Sequence, residues 1–211
     1  MEKFTADRIV TINVDVQNDF LPGGSLAVTG GDAVISPLND INVLTRELGG
    51  AVVFTGDQHP LETPHFGPDA WPVHCVAGTE GAALSTDLYV LPEDIIVDKG
   101  MGQTDGYSAF EGIAKDGRTL EQIVQPIGKE RVIILMGGLA TDYCVLNSGL
   151  DALKIDELEG QIKLLVIRDA VRAVNLQPDD EAKAFTQLKT AGATIVNSVD
   201  VLTGNAFELA Q

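Results

Sequence analysis

The 211 residues carry 31 acidic and 14 basic side chains, a net charge of −17, with 45% apolar and 21% charged content. That make-up fits one globular domain with a substantial core, and so acidic a surface repels nucleic-acid phosphates and anionic membranes, so neither is an expected partner. No apolar run nears the ~20 residues of a membrane span, the N-terminal MEKFTADR lacks a signal-peptide core, and two cysteines, Cys75 and Cys144, form no disulfide framework; a cytoplasmic protein with free thiols is expected.

Strands and helices alternate along the chain. Ile9-Val10-Thr11-Ile12-Asn13-Val14 predicts the first strand, continuous rather than alternating and so buried on both faces. Ser36-Pro37 opens a helix over 36–47 as N-cap and first helical residue, with Leu38, Ile41, Leu44 and Leu48 at helical spacing. Ala51-Val52-Val53-Phe54-Thr55 predicts the second strand. Residues 57–94 break the alternation. They hold several prolines and glycines, the single Trp71 and all three histidines, and a long irregular segment of this kind is expected to be functional. Ile95-Ile96-Val97 predicts the third strand, 119–125 a short helix, and Val132 to Met136 the fourth strand. A helix over 142–154 places Val145, Leu146, Leu150 and Leu153 on one stripe. Leu164-Leu165-Val166-Ile167 predicts the fifth strand. A helix over 179–190, with Ala182, Phe185 and Leu188 inward, stops at Gly192 before the sixth strand, Ala193-Thr194-Ile195-Val196. The pattern predicts an α/β sandwich around a mostly parallel sheet, as a single domain over 1–211.

In open α/β sheets, ligands sit beyond the carboxyl ends of the strands. Asp15 follows the first predicted strand, Asp57-Gln58-His59 the second, Asp98-Lys99-Gly100 the third, the turn to Cys144 the fourth and Arg168-Asp169 the fifth. Each has a plain structural reading: Asp15 as a turn or helix cap, Lys99 as a surface lysine, Cys144 as an inert buried thiol. Together they read as chemistry. Asp15 is a general base with a pKa raised by burial, and Lys99 stabilises negative charge beside it. Cys144 stands where a helix begins, and the unpaired N–H groups and dipole there favour a thiolate nucleophile and an oxyanion after attack.

Asp57 and His59, two apart on an extended segment, point to one side. With His65 or His74 as a third ligand they offer O and N donors to one divalent ion, Zn, Fe or Mn, making 57–94 a metal-bearing loop. The plainer reading is a loop whose histidines make ordinary hydrogen bonds. Cys75, next to His74, reads as packing. Phe20, Trp71 and Tyr107 are either core and loop packing or the walls of a pocket for a flat aromatic ligand. GxGxxG, GxxxxGK[ST] and GxSxG are absent, so the sequence gives no support for a nucleotide cofactor or a serine nucleophile elbow.

With their neighbours these residues resemble a known family. DVQNDF and PGGSLAV within 15–28, DQH at 57–59, WPVHCV at 71–76, KG at 99–100, YSAFEG at 107–112 and GLATDYCV at 138–145 resemble, in order, the nicotinamidase/pyrazinamidase family of isochorismatase-like cysteine hydrolases. The resemblance covers roughly residues 8–198. It implies a three-layer α/β/α sandwich around a mostly parallel six-stranded sheet. It implies hydrolysis of nicotinamide, and of pyrazinamide, to the acid and ammonia, in NAD salvage. Asp15, Lys99 and Cys144 match the family's catalytic triad; Asp57, His59 and His74 match its metal ligands, and His65 a fourth ligand of some members. The resemblance also implies a cis peptide at Leu139–Ala140, an oxyanion hole from the backbone N–H groups of Ala140 and Cys144, and a ring site against Phe20, Trp71 and Tyr107. The implied cofactor is one divalent ion, Zn first, with Fe or Mn as alternatives. The implied partner is a small aromatic amide, and the sequence leaves a homo-oligomer open.

Departures from the family are Tyr143, where some relatives carry His, the short stretch from His65 to His74, and residues 103–105. Three other readings compete. An amidase of the same superfamily acting on a carbamoyl compound or other small amide often lacks the metal site. Isochorismatase proper, a vinyl-ether hydrolase, does not need the cysteine. A flavodoxin-like binding module would leave Cys144 and the histidines incidental.

Overall fold

The structure is a computed structural model that describes residues 3–102, 104–155 and 160–210. Gln103, part of the variable stretch near Tyr107, lies outside the described residues. The strands are β1 (Phe4–Ala6), β2 (Arg8–Val14), β3 (Ala51–Asp57), β4 (Ile95–Lys99), β5 (Ile113–Ala114), β6 (Val132–Leu139), β7 (Ile162–Arg172), β8 (Thr194–Val196) and β9 (Phe207–Leu209). The helices are α1 (Ile35–Glu47), α2 (Leu120–Val124), α3 (Leu146–Lys154), α4 (Asp180–Ala191) and α5 (Ser198–Leu202).

The main sheet runs β5-β4-β3-β2-β6-β7-β8. Its six parallel strands are the six apolar runs of the sequence, and the two-residue β5 adds an antiparallel edge. β1 and β9 form a separate parallel pair. Alternation along the strands builds two cores. Ile9, Ile133, Leu135 and Leu165 pack on Leu38 and Ile41 of α1 and Val201 of α5. Val10, Ile12, Ile134, Met136, Leu164 and Val166 pack on Leu120 and Ile123 of α2, Ala152 of α3 and Phe185 and Leu188 of α4. The result is the expected α/β/α sandwich, each fully buried aliphatic side chain contributing roughly 1.5–3 kcal/mol.

Some local expectations fail for physical reasons. α1 begins at Ile35 after a 3-10 turn at Gly31–Val34, with no side-chain cap from Ser36; Pro37 still falls in the first turn, where its missing N–H costs nothing. The inward face of α3 is Ser148, Gly149 and Ala152, while Leu146, Leu150 and Leu153 are half-buried. A Cβ on Gly149 would press on Leu188, so the small residues let α4 seat closely. In α4 the buried alanine is Ala184, and Ala182 is exposed.

β7 does not stop at Arg168-Asp169 but continues to Arg172. Arg168 lies over the Phe185 ring, 5.2 Å from its centre, and Asp169 accepts the Ser198 N–H at 2.8 Å. Both residues brace helices rather than joining the other strand ends.

Counted in chain order, the parallel strands lie 3-2-1-4-5-6, so the winding reverses between β2 and β6. That reversal opens a crevice at the carboxyl ends of the two strands. Asp15 leaves β2 there, and the segment to Cys144 leaves β6 there. Val14 pairs with Gly138, whose φ of +119° and whose closeness to the Val14 backbone both demand glycine.

Candidate active site

Asp15 adopts φ 48°, in the left-handed region that Asp enters more readily than most residues. Its carboxylate accepts a 2.6 Å hydrogen bond from the Thr55 hydroxyl on β3. Lys99, the last residue of β4, extends its ammonium into the same space. Nζ lies 2.9 Å from Asp15 Oδ2, 2.7 Å from Asp57 Oδ1, 2.9 Å from the Gly106 carbonyl and 3.5 Å from Cys144 Sγ. Lys99 is 1% exposed and Asp15 0%. The Asp15–Lys99 approach is an ion pair without hydrogen-bond alignment, so Asp15 Oδ2 keeps an open acceptor site. Acceptor atoms of Asp15 and Asp57 and the Cys144 sulfur all lie within 4.8 Å of one another.

The charges interact strongly. Burial, with the neighbouring Asp57 charge, raises the Asp15 carboxyl despite the opposing Lys99. Burial also acts to raise Asp57, but Lys99 and His59 outweigh it and hold that carboxyl below the ordinary range. Lys99 stays charged: burial works to lower it, and Asp15 and Asp57 push it well above its usual value.

Cys144 departs from the expected thiolate. It sits fourth in a π-helical turn, Thr141–Val145, ahead of α3. Burial, with the charges of Asp15 and Asp57, raises it well above the usual thiol value, and Lys99 only opposes this. A helix start does not outweigh desolvation beside two carboxylates. The neutral thiol needs a base, and Asp15 is next to it. The Leu139–Ala140 peptide is cis, as the resemblance implies.

The three histidines of the irregular segment come together. No helix or strand forms between β3 and β4; backbone bonds hold the segment instead, His59 N–H to Cys75 O and Ala77 N–H to His59 O, each 2.9 Å. Ring nitrogens of His59, His65 and His74 lie within 4.8 Å of one another, all three buried. Each Nδ1 faces an acceptor: Gly100 O at 2.9 Å for His59, Asp105 Oδ1 at 3.1 Å for His65 and Pro72 O at 2.7 Å for His74. A carbonyl or carboxylate only accepts, so each Nδ1 carries the proton and each Nε2 presents a lone pair. Among the described residues His59 Nε2 is buried with no hydrogen-bond partner, and Asp57 Oδ2 lies 3.7 Å away. An orphaned imidazole nitrogen with its far side anchored is the pattern of a metal-ready histidine. Burial lowers His65 and His74, favouring the neutral form a metal requires. Asp57, His59, His65 and His74 therefore fit a divalent ion, and Zn, Fe and Mn all accept such donors. Gly100, at φ +67°, brings its carbonyl to His59, and a Cβ there would meet that ring at 2.7 Å.

Between the two clusters lies a pocket of about 390 Å³, part of it open to solvent. Phe20, Leu26, Val28, Trp71, Tyr107, Tyr143 and Val174 line it, with Asp57, His65, His74, Ala140 and Cys144. The Trp71 indole N–H donates to the Tyr107 hydroxyl at 2.8 Å, and Tyr143 packs edge-on to Trp71 with centroids 4.9 Å apart. All three aromatics singled out in the sequence thus reach the pocket.

Sequence reasoning missed the residues that hold these groups. Gln17 donates to the Asp57 and Ala82 carbonyls and accepts from Asp57 N–H. Asp19 accepts the Cys75 N–H at 2.7 Å, beside His74. Asp142 accepts the N–H groups of Val174 and Asn175 and so sets one pocket wall. Gln17 and Asp19 lie inside DVQNDF, which was the one signal of their importance. Cys75 is packing, as expected: it is fully buried, and burial pushes its thiol far up.

Residues 10–200 match the isochorismatase domain family. The chain is 34% identical over 206 residues to a nicotinamidase of Escherichia coli, covering 89% of this chain and 93% of that protein. It superposes with a TM-score of 0.75 on a pyrazinamidase of Pyrococcus horikoshii solved in complex with zinc, at 35% identity over 90% of this chain and 99% of that one. The TM-score is 0.78 with PnC1 from L. infantum in complex with nicotinate, at 29% identity over 99% of each chain.

Proposed function

We propose that this chain, which belongs to the isochorismatase family of hydrolases, is a metal-dependent cysteine amidohydrolase that converts nicotinamide to nicotinate and ammonia. Pyrazinamide is read as a second substrate. The observation that carries this reading is the meeting of Asp15, Lys99 and Cys144 with three histidines whose free ring nitrogens face one another beside Asp57. Nicotinamidase and pyrazinamidase relatives, one solved with zinc, support both the substrate and zinc as the metal. The whole chain is taken as one cytoplasmic domain, with 57–94 as its metal-bearing loop.

Asp57, His59, His74 and His65 would hold the ion, which when bound supplies a Lewis acid for the pyridine nitrogen of the substrate. Phe20, Trp71 and Tyr107 pack on the ring and bring its amide to Cys144. Asp15 takes the thiol proton as Sγ attacks the amide carbon. The raised pKa of Asp15 makes it a stronger base than an ordinary carboxylate, and the Lys99 ammonium steadies the sulfur anion. Backbone N–H groups of Ala140 and Cys144 hold the tetrahedral oxyanion. Asp15 returns the proton to the departing ammonia, leaving a thioester. Asp15 then takes a proton from water, the resulting hydroxide attacks the acyl carbon, and Cys144 leaves with the proton restored.

The rival is an amidase of the same family acting on a carbamoyl compound or another small amide. The oriented histidines favour nicotinamidase, because such relatives often dispense with the ion. An ammonia-release assay across nicotinamide, pyrazinamide and small ureido compounds, with and without chelator, tests the reading. Chelator-sensitive release from nicotinamide and pyrazinamide is expected; chelator-insensitive release from a ureido compound alone overturns it.

A further inference from the structure

We propose that Asp105 is a positioning residue: its carboxylate orients His65 toward the other two histidines and fastens the pocket wall at Tyr107 to them. This rests on the metal-dependent reading above. The His65 side chain is 2% exposed, and among the described residues its ring makes one hydrogen bond, to Asp105 Oδ1 at 3.1 Å. Asp105 is itself 64% exposed, so a surface carboxylate holds a buried ring. Without it the His65 ring could rotate or exchange tautomers, and Nε2 would no longer be committed to the cluster. His59 and His74 are anchored by backbone carbonyls instead, which no side-chain substitution removes. Asp105 is thus the side chain through which the histidine cluster can be loosened from outside.

Its neighbours extend the consequence. Gly106 accepts from Lys99 Nζ through its carbonyl at 2.9 Å, and Tyr107 accepts the Trp71 indole N–H at 2.8 Å. Three consecutive residues therefore hold His65, Lys99 and Trp71. Gly106, at φ +64°, lies so close to Gly100 that a Cβ would meet its Cα at 2.6 Å. Gly100 in turn anchors His59. The segment 104–107 is a strap across the site; Asp105 hydrogen-bonds it to the histidines, and the Tyr107 ring packs edge-on to His65 with centroids 5.9 Å apart. Occupancy of the metal site and the shape of the ring pocket are coupled through it, while among the described residues Asp105 hydrogen-bonds His65 and neither Asp15 nor Cys144.

The test is Zn²⁺ affinity by competition with a chromophoric chelator, and nicotinamide kinetics at saturating Zn²⁺, for wild type, Asp105→Ala and Asp105→Asn. Asp105→Ala should bind Zn²⁺ about 10–100-fold more weakly. At saturating Zn²⁺ its KM should rise severalfold, and more than kcat falls, because the loss is in binding rather than in the transition state. Asp105→Asn keeps an acceptor oxygen for Nδ1–H and should recover most of the affinity. Unchanged Zn²⁺ affinity in Asp105→Ala overturns the proposal, and so does Asp105→Asn as weak as Asp105→Ala, since charge rather than orientation would then be at work. If wild type binds no Zn²⁺, this proposal and the metal-dependent reading fall together. If wild type binds Zn²⁺ but leaves nicotinamide intact, the functional reading falls and the Zn²⁺ affinities still decide the role of Asp105.

Discussion

The Lys99 ammonium lies 2.7 Å from the Asp57 carboxylate, and both side chains are shut off from water. Asp57 faces the histidines, and Lys99 also faces Asp15 and Cys144, so this one ion pair joins the two halves of the site. A single cation balances two buried carboxylates.

Lys99→Met should therefore do more than stop turnover. It strands Asp15 and Asp57 as uncompensated buried charges, at a cost of about 3–5 kcal/mol in the metal-free protein. Urea denaturation reads this as a lower midpoint. Lys99→Arg should not restore activity, because the planar guanidinium cannot reproduce a compact ammonium among four partners. A Lys99→Met protein as stable as wild type would contradict the charge balance described.

Asp15→Asn separates activity from stability. The folded Asp15 pKa is raised above its ordinary 3.8, chiefly by burial. The stability it contributes is fully present below the unfolded value and is lost as pH rises through the folded one. The variant has no such loss, so its stability relative to wild type should rise across that window while its turnover disappears. Wild-type activity should climb over the same limb, because the base must be ionised. Parallel denaturation series against pH check the sign; a relative fall in the variant would contradict it.

Metal removal should lower both activity and melting temperature, and added Zn²⁺ should restore both. An ion at a hundred times its dissociation constant stabilises the folded state by about 2.7 kcal/mol. His59→Ala deletes the orphaned Nε2 and should abolish the Zn²⁺-dependent rise in melting temperature. A rise equal to wild type would place the ion elsewhere.

Tyr107→Phe removes the acceptor for the Trp71 indole N–H. One lost hydrogen bond of about 0.5–1.5 kcal/mol predicts a KM increase of roughly 2- to 12-fold with kcat nearly kept. Trp71 is the only tryptophan of the chain and lines the pocket, so its fluorescence reports ligand binding directly. Quenching by nicotinamide should need correspondingly more ligand in the variant; identical titration curves would remove the Trp71–Tyr107 pair from the binding site.

The strand runs and the residues at their ends were legible in the sequence because burial on both faces leaves a continuous apolar signature. Asp15, Asp57, Lys99 and Cys144 follow from that and from where α/β sheets bind ligands. The supports were not legible. Gln17 and Thr55 act across 40 residues of sequence, Asp19 across 56 and Asp105 across 40, through hydrogen bonds that no local pattern encodes. β1, β9 and α5 are too short to carry a periodicity. The neutral state of the Cys144 thiol was not legible because a helix-start argument sees the local backbone, whereas burial, with the charges of Asp15 and Asp57 added to it, raises the thiol. Arg168 and Asp169 were read at a strand end, but β7 continues beyond a register shift opposite Met136 and Gly138.

The most direct test of the account is trapping of the acyl-enzyme. Zinc-loaded protein is mixed with nicotinamide, acid-quenched within the first turnovers, digested and examined by mass spectrometry, alongside Cys144→Ala. The account predicts a nicotinoyl thioester on the peptide carrying Cys144 in wild type, and neither adduct nor ammonia from Cys144→Ala although nicotinamide still quenches Trp71. Ammonia release by Cys144→Ala at the wild-type rate would contradict it.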